Sequence, residues 1–467
     1  MKTMYLATEY KSVTPTLGNA QRTTHCALFF LFLCLFAATP VCGEEGSSAP
    51  PKDRYTLAEA VDRALAANPG VEAKLRALEE AKMQVQVAKS YFLPTASVFY
   101  QRNRLENSGG VGSTDELSNQ SRSHGLRTGL NLFSGFAHLN NLEQSKLTAD
   151  VESARHLYAR HELMANVQLT FLQLLKFRED RKTILDARKR LETQLAAAQE
   201  FVALRMAPQL NVLQTEVELA RIQQEEIAVN NNIRGTEVQL GHYLGLPPLY
   251  PVRYVGSLQD YGMTWDIDEK AALNMAIRNR PQAIMALKSI AVAEKKSYVT
   301  AAKYLPTVSL NYDIAYYSRE YDGGIANSYN DYSRHYSTLG LNFTWDLFSG
   351  GGTTYSVLAD KKRIAALRKE YEDTLSTIRS EVVQNLMDMD AARELVLAAR
   401  KGVDAATEAY NMSQARYNTH TGTITDLLDA QAKLTRAHGD TSQALADFQR
   451  ARARFYYSIG IERAGLQ

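Results

Sequence analysis

The longest uninterrupted pattern in the chain runs from Ala137 to about Leu204. It contains no proline and no glycine, and apolar residues recur at helical spacing: Leu163, Val167, Phe171 and Leu174, then Leu191, Leu195, Ala198 and Val202. The spacing predicts one helix of roughly 67 residues, about 100 Å long at a rise of about 1.5 Å per residue. An ordinary globular domain has no use for that length, whereas a coiled coil does. A turn near Ala207-Pro208 reverses the chain. The returning helix runs to about Tyr243 and stops at Gly245-Leu246-Pro247-Pro248, where glycine and proline end the ladder.

Shorter elements precede this hairpin. Thr56-Leu57-Ala58-Glu59 reads as a capping box that opens a short helix ending at Asn68-Pro69. A second helix continues to about Ser90 and is closed by Pro94, which drives Leu93 to extended geometry. Strands are predicted at about 95–102 and 123–133, joined by the polar segment Asn103–Arg122 with Gly109, Gly110 and Gly112.

The whole arrangement then recurs. Leu93-Pro94-Thr95 returns as Leu305-Pro306-Thr307, about 212 residues on, and Leu132-Phe133-Ser134-Gly135 as Leu347-Phe348-Ser349-Gly350, about 215 residues on. The interhelical turn at Glu200–Glu216 returns at Ala415–Gln431, ARYNTHTGTITDLLDAQ. The expected organisation is a leader (1–43), a first unit (44–247), a linker (248–265) and a second unit (266–467). Each unit holds short helices, two strands and a long helical hairpin. The second pair of strands is expected at about 307–317 and 337–348, joined by Tyr317–Tyr336. The extra residues of the second unit fall in its strand–strand connection, where insertions cost least.

The strands alternate strictly. Val308, Leu310, Tyr312, Ile314 and Tyr316 interleave with Ser309, Asn311, Asp313 and Ala315. Leu339, Leu341, Phe343, Trp345 and Leu347 interleave with Gly340, Asn342, Thr344 and Asp346. One face is apolar and the other small or polar. A half-buried soluble sheet has the same period, but about nine residues also suit a tilted membrane strand. Trp345, Tyr316 and Tyr317 are expected near strand ends, at the membrane interface. Four such strands cannot close a barrel alone, and an open edge in lipid leaves backbone groups unpaired at several kcal/mol each. Closure therefore requires further copies of the chain.

The N-terminus changes the picture further. Arg22 precedes the apolar run Cys26–Ala38, followed by Thr39–Gly43 and a polar stretch from Glu44. That is an export-signal pattern, with cleavage expected after Gly43, and the run is short for a membrane helix. The long stretch before Arg22 suggests a misplaced start codon. All three cysteines, Cys26, Cys34 and Cys42, lie in or beside this segment, so the mature chain carries no cysteine chemistry. Cys42 could be lipidated, but Thr39-Pro40-Val41 is a poor context for it. The net charge is +2, which gives no reason to expect nucleic acid.

With the duplicated strand–strand–helix–helix unit, the LFSG turns and the ARYNTHTGTITDLLDAQ tip in view, the chain resembles the TolC family of outer-membrane efflux proteins. The resemblance spans nearly the whole mature chain. It implies a fold that is mainly α with a membrane β-barrel. Long coiled-coil hairpins form a tunnel, each protomer adds four β-strands, and two internal repeats build the subunit of a homotrimer. The implied function is the outer-membrane duct of a tripartite efflux or type I secretion system, with the helical part in the periplasm. A periplasmic adaptor and an inner-membrane pump of RND, ABC or MFS type are the implied partners. Motif matching puts the aspartates of the entrance on Asp426 and Asp429, and a bridging tyrosine and its partner on Tyr417 and Asn211. Adaptor docking falls on the helix tips, at Arg205, Pro208, His420 and Gly422. The chain departs from the family in three places. The tyrosine's partner is Asn211 rather than an aspartate, an arginine of the closed state falls on Gly422, and a tip glycine is His420.

Other signals are weak. The LFSGGGTTY run from Leu347 lacks the lysine of a phosphate loop and reads as a tight turn. His161-Glu162 lacks a second histidine at metal spacing and reads as helix surface. No cofactor and no catalytic constellation is expected. Acidic residues in the first turn of a helix complement its dipole, which by itself accounts for Asp426 and Asp429. Threefold symmetry would add a ring of carboxylates that raise each other's pKa and attract cations. An envelope scaffold would explain the helices but would leave the alternating strands without a use, and a secreted enzyme finds no motif.

Overall fold

The computed structural model describes residues 52–107, 117–248, 250–259, 267–322 and 332–461. The leader, Cys42, the glycines at 109, 110 and 112, and part of the linker lie outside the described residues. The order is β1 (Arg54–Tyr55), α1 (Leu57–Ala67), α2 (Pro69–Ser90), β2 (Thr95–Asn107), β3 (Leu117–Ser134), α3 (Ala137–Ala203) and α4 (Gln209–Tyr243). Then follow β4 (Arg253–Tyr254), α5 (Glu269–Asn279), α6 (Pro281–Ala301), β5 (Thr307–Asp322), β6 (Tyr332–Thr344), α7 (Gly352–Asn418) and α8 (Ile424–Ser458).

Local chemistry sets the helix ends where the spacing predicts them. Thr56 and Glu59 form both bonds of a capping box at α1, and the Asn68 side chain accepts from Gly70 and Val71 to cap α2. Helices α3 and α7 each run 67 residues without a break. Helix α3 is the spine, packed against α1, α2, α4, α6 and α8. Its Leu163, Val167, Phe171 and Leu174 are buried and join Met389, Val396, Phe448 and Phe455 in one apolar core. Fully burying one such side chain contributes about 1.5–3 kcal/mol, which identifies what holds the helices side by side. Farther along, Leu191 and Ala198 are buried, while Leu195 and Val202 are half-buried. Gln194 takes a buried place instead and donates to the Tyr410 hydroxyl.

His161 corrects an expectation. It is 5% exposed, not on the helix surface, because α3 is covered on several sides at once. The described part of the expected linker carries a short strand. Strands β1 and β4 pair in parallel, and Arg178 on α3 donates to the Tyr254 carbonyl and pairs with Glu237 on α4 at 3.0 Å. Burial pushes the Tyr254 hydroxyl up to about 12.

The remaining strands form an antiparallel sheet in the order β2-β3-β5-β6, which leaves β2 and β6 as edges. All four differ in extent from the expected spans. Strand β2 continues to Asn107, β3 begins at Leu117, β5 reaches Asp322 and β6 begins at Tyr332. Much of Asn103–Arg122 and of Tyr317–Tyr336 is therefore ladder rather than loop. Arginines, tyrosines and small polar residues are mixed there, so no apolar–polar alternation marked it. Cross-strand pairs hold it instead, with Arg102 donating to Gln120 and Arg122 paired with Glu320 at 3.2 Å. At the helix end β6 stops at Thr344, and Trp345 is already in the turn, donating to the Tyr304 carbonyl at 3.0 Å. Tyr316 and Tyr317 sit inside β5, not near its end.

Register sorts the side chains. Leu130, Leu310 and Leu341 are successive Cα partners on one face, as are Thr128, Tyr312 and Leu339. On the same face a ring row crosses all four strands: Tyr100, His124, Tyr316 and His335, with centroids 6.4, 5.1 and 4.9 Å apart in turn. This face is uncovered in the single chain, with Leu339 69% and Leu341 66% exposed. The opposite face carries Ser97, Asn311, Asn342 and the ion pair Arg127–Asp313 at 3.1 Å.

Strand spacing yields one sharp prediction. A Cβ at Gly125 would lie 2.1 Å from the Ile314 carbonyl oxygen, whereas at Gly340 nothing lies within 4 Å. Gly125→Val should unpair β3 from β5 and lower the thermal transition markedly, and Gly340→Val should leave it within about 0.5 kcal/mol of the parent. Circular dichroism melts of the detergent-solubilised protein compare the two.

Candidate functional site at the helix tips

The two interhelical turns have the same backbone path and different caps. At the end of α3 the Met206 amide donates back to the Phe201 carbonyl at 2.7 Å, and Arg205 is left-handed, with φ 57°. At the end of α7 the Thr421 amide donates to the Arg416 carbonyl at 2.8 Å, and His420 has φ 57°. A left-handed residue with this return bond is a Schellman close, and glycine is its natural occupant. This chain puts side chains at both places, Arg205 and His420.

The His420 ring does not hang free. It lies 5.1 Å from the Phe201 ring, and Phe201 in turn lies 6.0 Å from Tyr417. These rings join the two tips into one body, over a small core of Leu191, Ile222, Tyr410, Ile424, Leu427 and Leu434. Phe201 was not among the sequence candidates; its signal was an aromatic one turn before a helix stop. Tyr417 is buried, and burial pushes its hydroxyl up. Asn211 is the side chain that acts on that hydroxyl, yet no hydrogen bond of normal geometry forms, and the oxygen is left without a partner.

The caps set the charge. Helix α4 opens at Pro208 with no side-chain cap, whereas α8 opens at Thr423 with a capping box to Asp426. Hydrogen bonding from Thr423, first its hydroxyl and then its amide, holds the exposed Asp426 carboxyl below its ordinary value, and the Arg416 charge adds to this. A depressed carboxyl contributes its cap above the ordinary carboxylate range and loses it as pH falls through the lowered value. Asp429 is exposed and pairs with Lys433 at 2.7 Å, one turn on. In the single chain both aspartates therefore have local partners. Gly422 is close-packed: a Cβ there would meet the Arg416 Cβ at 3.0 Å and its carbonyl carbon at 3.3 Å. A side chain at this position would press on the Arg416 stem, which would have to shift by a few tenths of an ångström.

A further feature escaped the sequence reading. Leu204, Met206, Leu210, Leu213 and Val217 are all exposed in the single chain, three of them at helical spacing along the start of α4. Among the described residues no group of three or more His, Cys, Asp or Glu could hold a metal ion. No described helix is long and apolar enough to cross a membrane.

The Outer membrane efflux protein family matches this chain over residues 60–246 and 272–461. The chain is 24% identical over 252 residues to outer membrane protein TolC of Salmonella enteritidis, covering 52% of this chain and 49% of that protein. It is 23% identical over 195 residues to Nodulation protein T of Rhizobium leguminosarum bv. trifolii, covering 41% of each. The chain thus spans about half or less of the length of these sequence relatives. Among solved structures the fold is similar to that of CusC, with a TM-score of 0.75 at 14% identity over 86% of this chain and 92% of that one. It is likewise similar to the CmeC outer membrane channel of Campylobacter jejuni, with a TM-score of 0.73 at 16% identity over 87% and 86%.

His420 gives the prediction for this site. Left-handed geometry costs a residue with a Cβ about 1 kcal/mol, and the ring contact returns about 0.5–1.5 kcal/mol. His420→Gly should therefore sit near the parent in denaturant unfolding. His420→Ala keeps the strain, loses the ring and should fall about 1 kcal/mol below His420→Gly.

Proposed function

The chain belongs to the outer membrane efflux protein family, and we propose that it is a passive export duct of the outer membrane. The observation that carries this reading is the sheet: an amphipathic antiparallel sheet with two open edges, joined directly to helices of 67 residues. In hydrocarbon each unpaired edge group costs several kcal/mol, so β2 of one copy and β6 of the next must pair. In a homotrimer three sheets close a barrel, its apolar face on lipid and its polar face on water. The helical hairpins of the two repeats then line up as a periplasmic tunnel. The uncovered apolar residues of α4 and α7, among them Leu213, Val217, Met387 and Leu395, support contacts between copies.

The helix tips are the periplasmic entrance. Asp426 and Asp429 of three copies line it, Tyr417 and Asn211 lie at the joint between the two hairpins, and Arg205, Pro208, His420 and Gly422 offer the surface on which an adaptor docks. An inner-membrane pump delivers the cargo and supplies the energy, and cargo selection lies mainly with that pump. The protein is not an enzyme. Extraction tests the architecture: a heat-resistant trimer that needs detergent agrees with a duct, and release by salt alone would point to a scaffold.

Arginine substitution reads the two faces of the sheet. Leu341→Arg or Leu310→Arg should cost about 2–4 kcal/mol if placed near the bilayer midplane, and Asn342→Arg or Asn311→Arg far less. Folding titrations into lipid vesicles give the numbers, and equal damage on both faces would count against a water-filled barrel.

Conductance reads the entrance. With Asp426→Ala and Asp429→Ala together, a planar bilayer should record a loss of cation preference and of block by trivalent cations from the periplasmic side. A double variant that conducts and blocks like the parent would leave these aspartates as a helix cap and a surface pair only.

A further inference from the structure

The polar face of the sheet is uncharged over most of its length. Among its described side chains, Arg127 and Asp313 neutralise each other at 3.1 Å. The exception lies at the end away from the helices, on β5 and β6. There Tyr317 is the Cα partner of Arg334, and Arg319 is the Cα partner of Tyr332. Tyrosine and arginine thus alternate along both strands and across them. The Arg334 guanidinium carbon is 5.8 Å from the Tyr332 ring centroid and 5.8 Å from that of Tyr336. Arg319 lies 5.6 Å from the Tyr317 ring, and the Tyr317 and Tyr332 rings are 6.5 Å apart.

Arg334 makes no ion pair with any described residue, although it sits on an exposed edge strand where one would be easy to supply. Two tyrosine rings flank its guanidinium within cation–π distance instead, and its N–H donors are left available. Tyr332 is 46% exposed and Tyr336 36%, which leaves ring surface open beside the charge. A guanidinium fork takes a carboxylate or sulfonate through two parallel hydrogen bonds, and flanking aromatic faces favour a flat apolar body. A small hydrated anion would use the charge and leave the rings idle.

We propose that Arg334, with Tyr332, Tyr336, Tyr317 and Arg319, forms a binding site for planar aromatic anions on the polar face of the sheet. Its placement in the lumen rests on the duct reading above, where it becomes the last site a permeant meets before leaving. There it biases which cargoes dwell at the exit.

The probe is 1,5-naphthalenedisulfonate, titrated by calorimetry into the purified full-length protein in detergent, with inorganic sulfate as comparison. Binding should be saturable and stronger than for sulfate. Arg334→Gln should weaken it by about tenfold or more, and Arg334→Lys should fall between, because the charge survives but the planar fork does not. Tyr332→Leu with Tyr336→Leu should weaken the aromatic dianion and leave sulfate unchanged. A heat-resistance check on each variant confirms that the barrel is intact. Unchanged affinity in Arg334→Gln, or equal affinity for sulfate and the aromatic dianion, overturns the site. In a planar bilayer the probe added on the side of the strand connections should block the parent and not Arg334→Gln. A protein that binds the probe but never conducts would sink the duct while leaving the site standing; one that conducts without binding it would do the reverse.

Discussion

Unsatisfied backbone groups at the two sheet edges are the constraint on which the rest of this structure depends. Within one chain β3 and β5 are paired on both sides, whereas β2 and β6 each offer a row of N–H and C=O groups with no strand beyond them. In water such edges invite aggregation, and in hydrocarbon they are prohibitive. A single chain therefore cannot be the functional unit of a membrane sheet. The proposed assembly follows from that cost, and with it the orientation of both sheet faces.

The helices meet a related problem by another route. A helix of 67 residues has far more surface than one core can cover. Helix α3 is covered by contact with five other helices, so that even His161 is drawn inside. Helix α7 leaves Met387, Leu395 and Leu397 uncovered, and α4 leaves Leu210, Leu213 and Val217. Burial along α3 and exposure along α4 and α7 fit the proposed assembly, in which further copies would cover the exposed apolar residues.

At the tips, the two repeats have the same turn but different electrostatics. Pro208 leaves the first returning helix without a side-chain cap, whereas Thr423 and Asp426 close the second with two reciprocal bonds. A capping carboxylate is thus present at only one of the two returning helices. The Arg416 stem packs against Gly422, and its charge, from the end of α7, is the one that favours the Asp426 carboxylate. Ring contacts from Phe201 to Tyr417 and His420 fasten the hairpins together where polar bonding is incomplete, as the unpartnered Tyr417 hydroxyl indicates.

Much of this was legible in one dimension, and the reason is local. Helix spans, the Thr56 box, the stops at Asn68 and Gly245 and the apolar face of the central strands follow from periodicity, capping and backbone restriction, which act over a few residues. The candidate tip residues were legible through motif matching alone, and nothing local distinguished a capping Asp426 from a channel-lining one. What lay beyond the sequence depends on partners distant along the chain. The outer thirds of the strands mix charged, polar and tyrosine residues without alternation, and only the register between β2, β3, β5 and β6 gives them partners such as Arg122–Glu320. Burial of His161, the Phe201 contacts and the alternation of Arg334 with Tyr317 each require two segments to be brought side by side. Sequence determined which segments are helix, strand and turn, because those choices are made by neighbours in the chain. Tertiary structure decided which side chains meet, because packing distance and strand register are properties of pairs that the linear order does not contain.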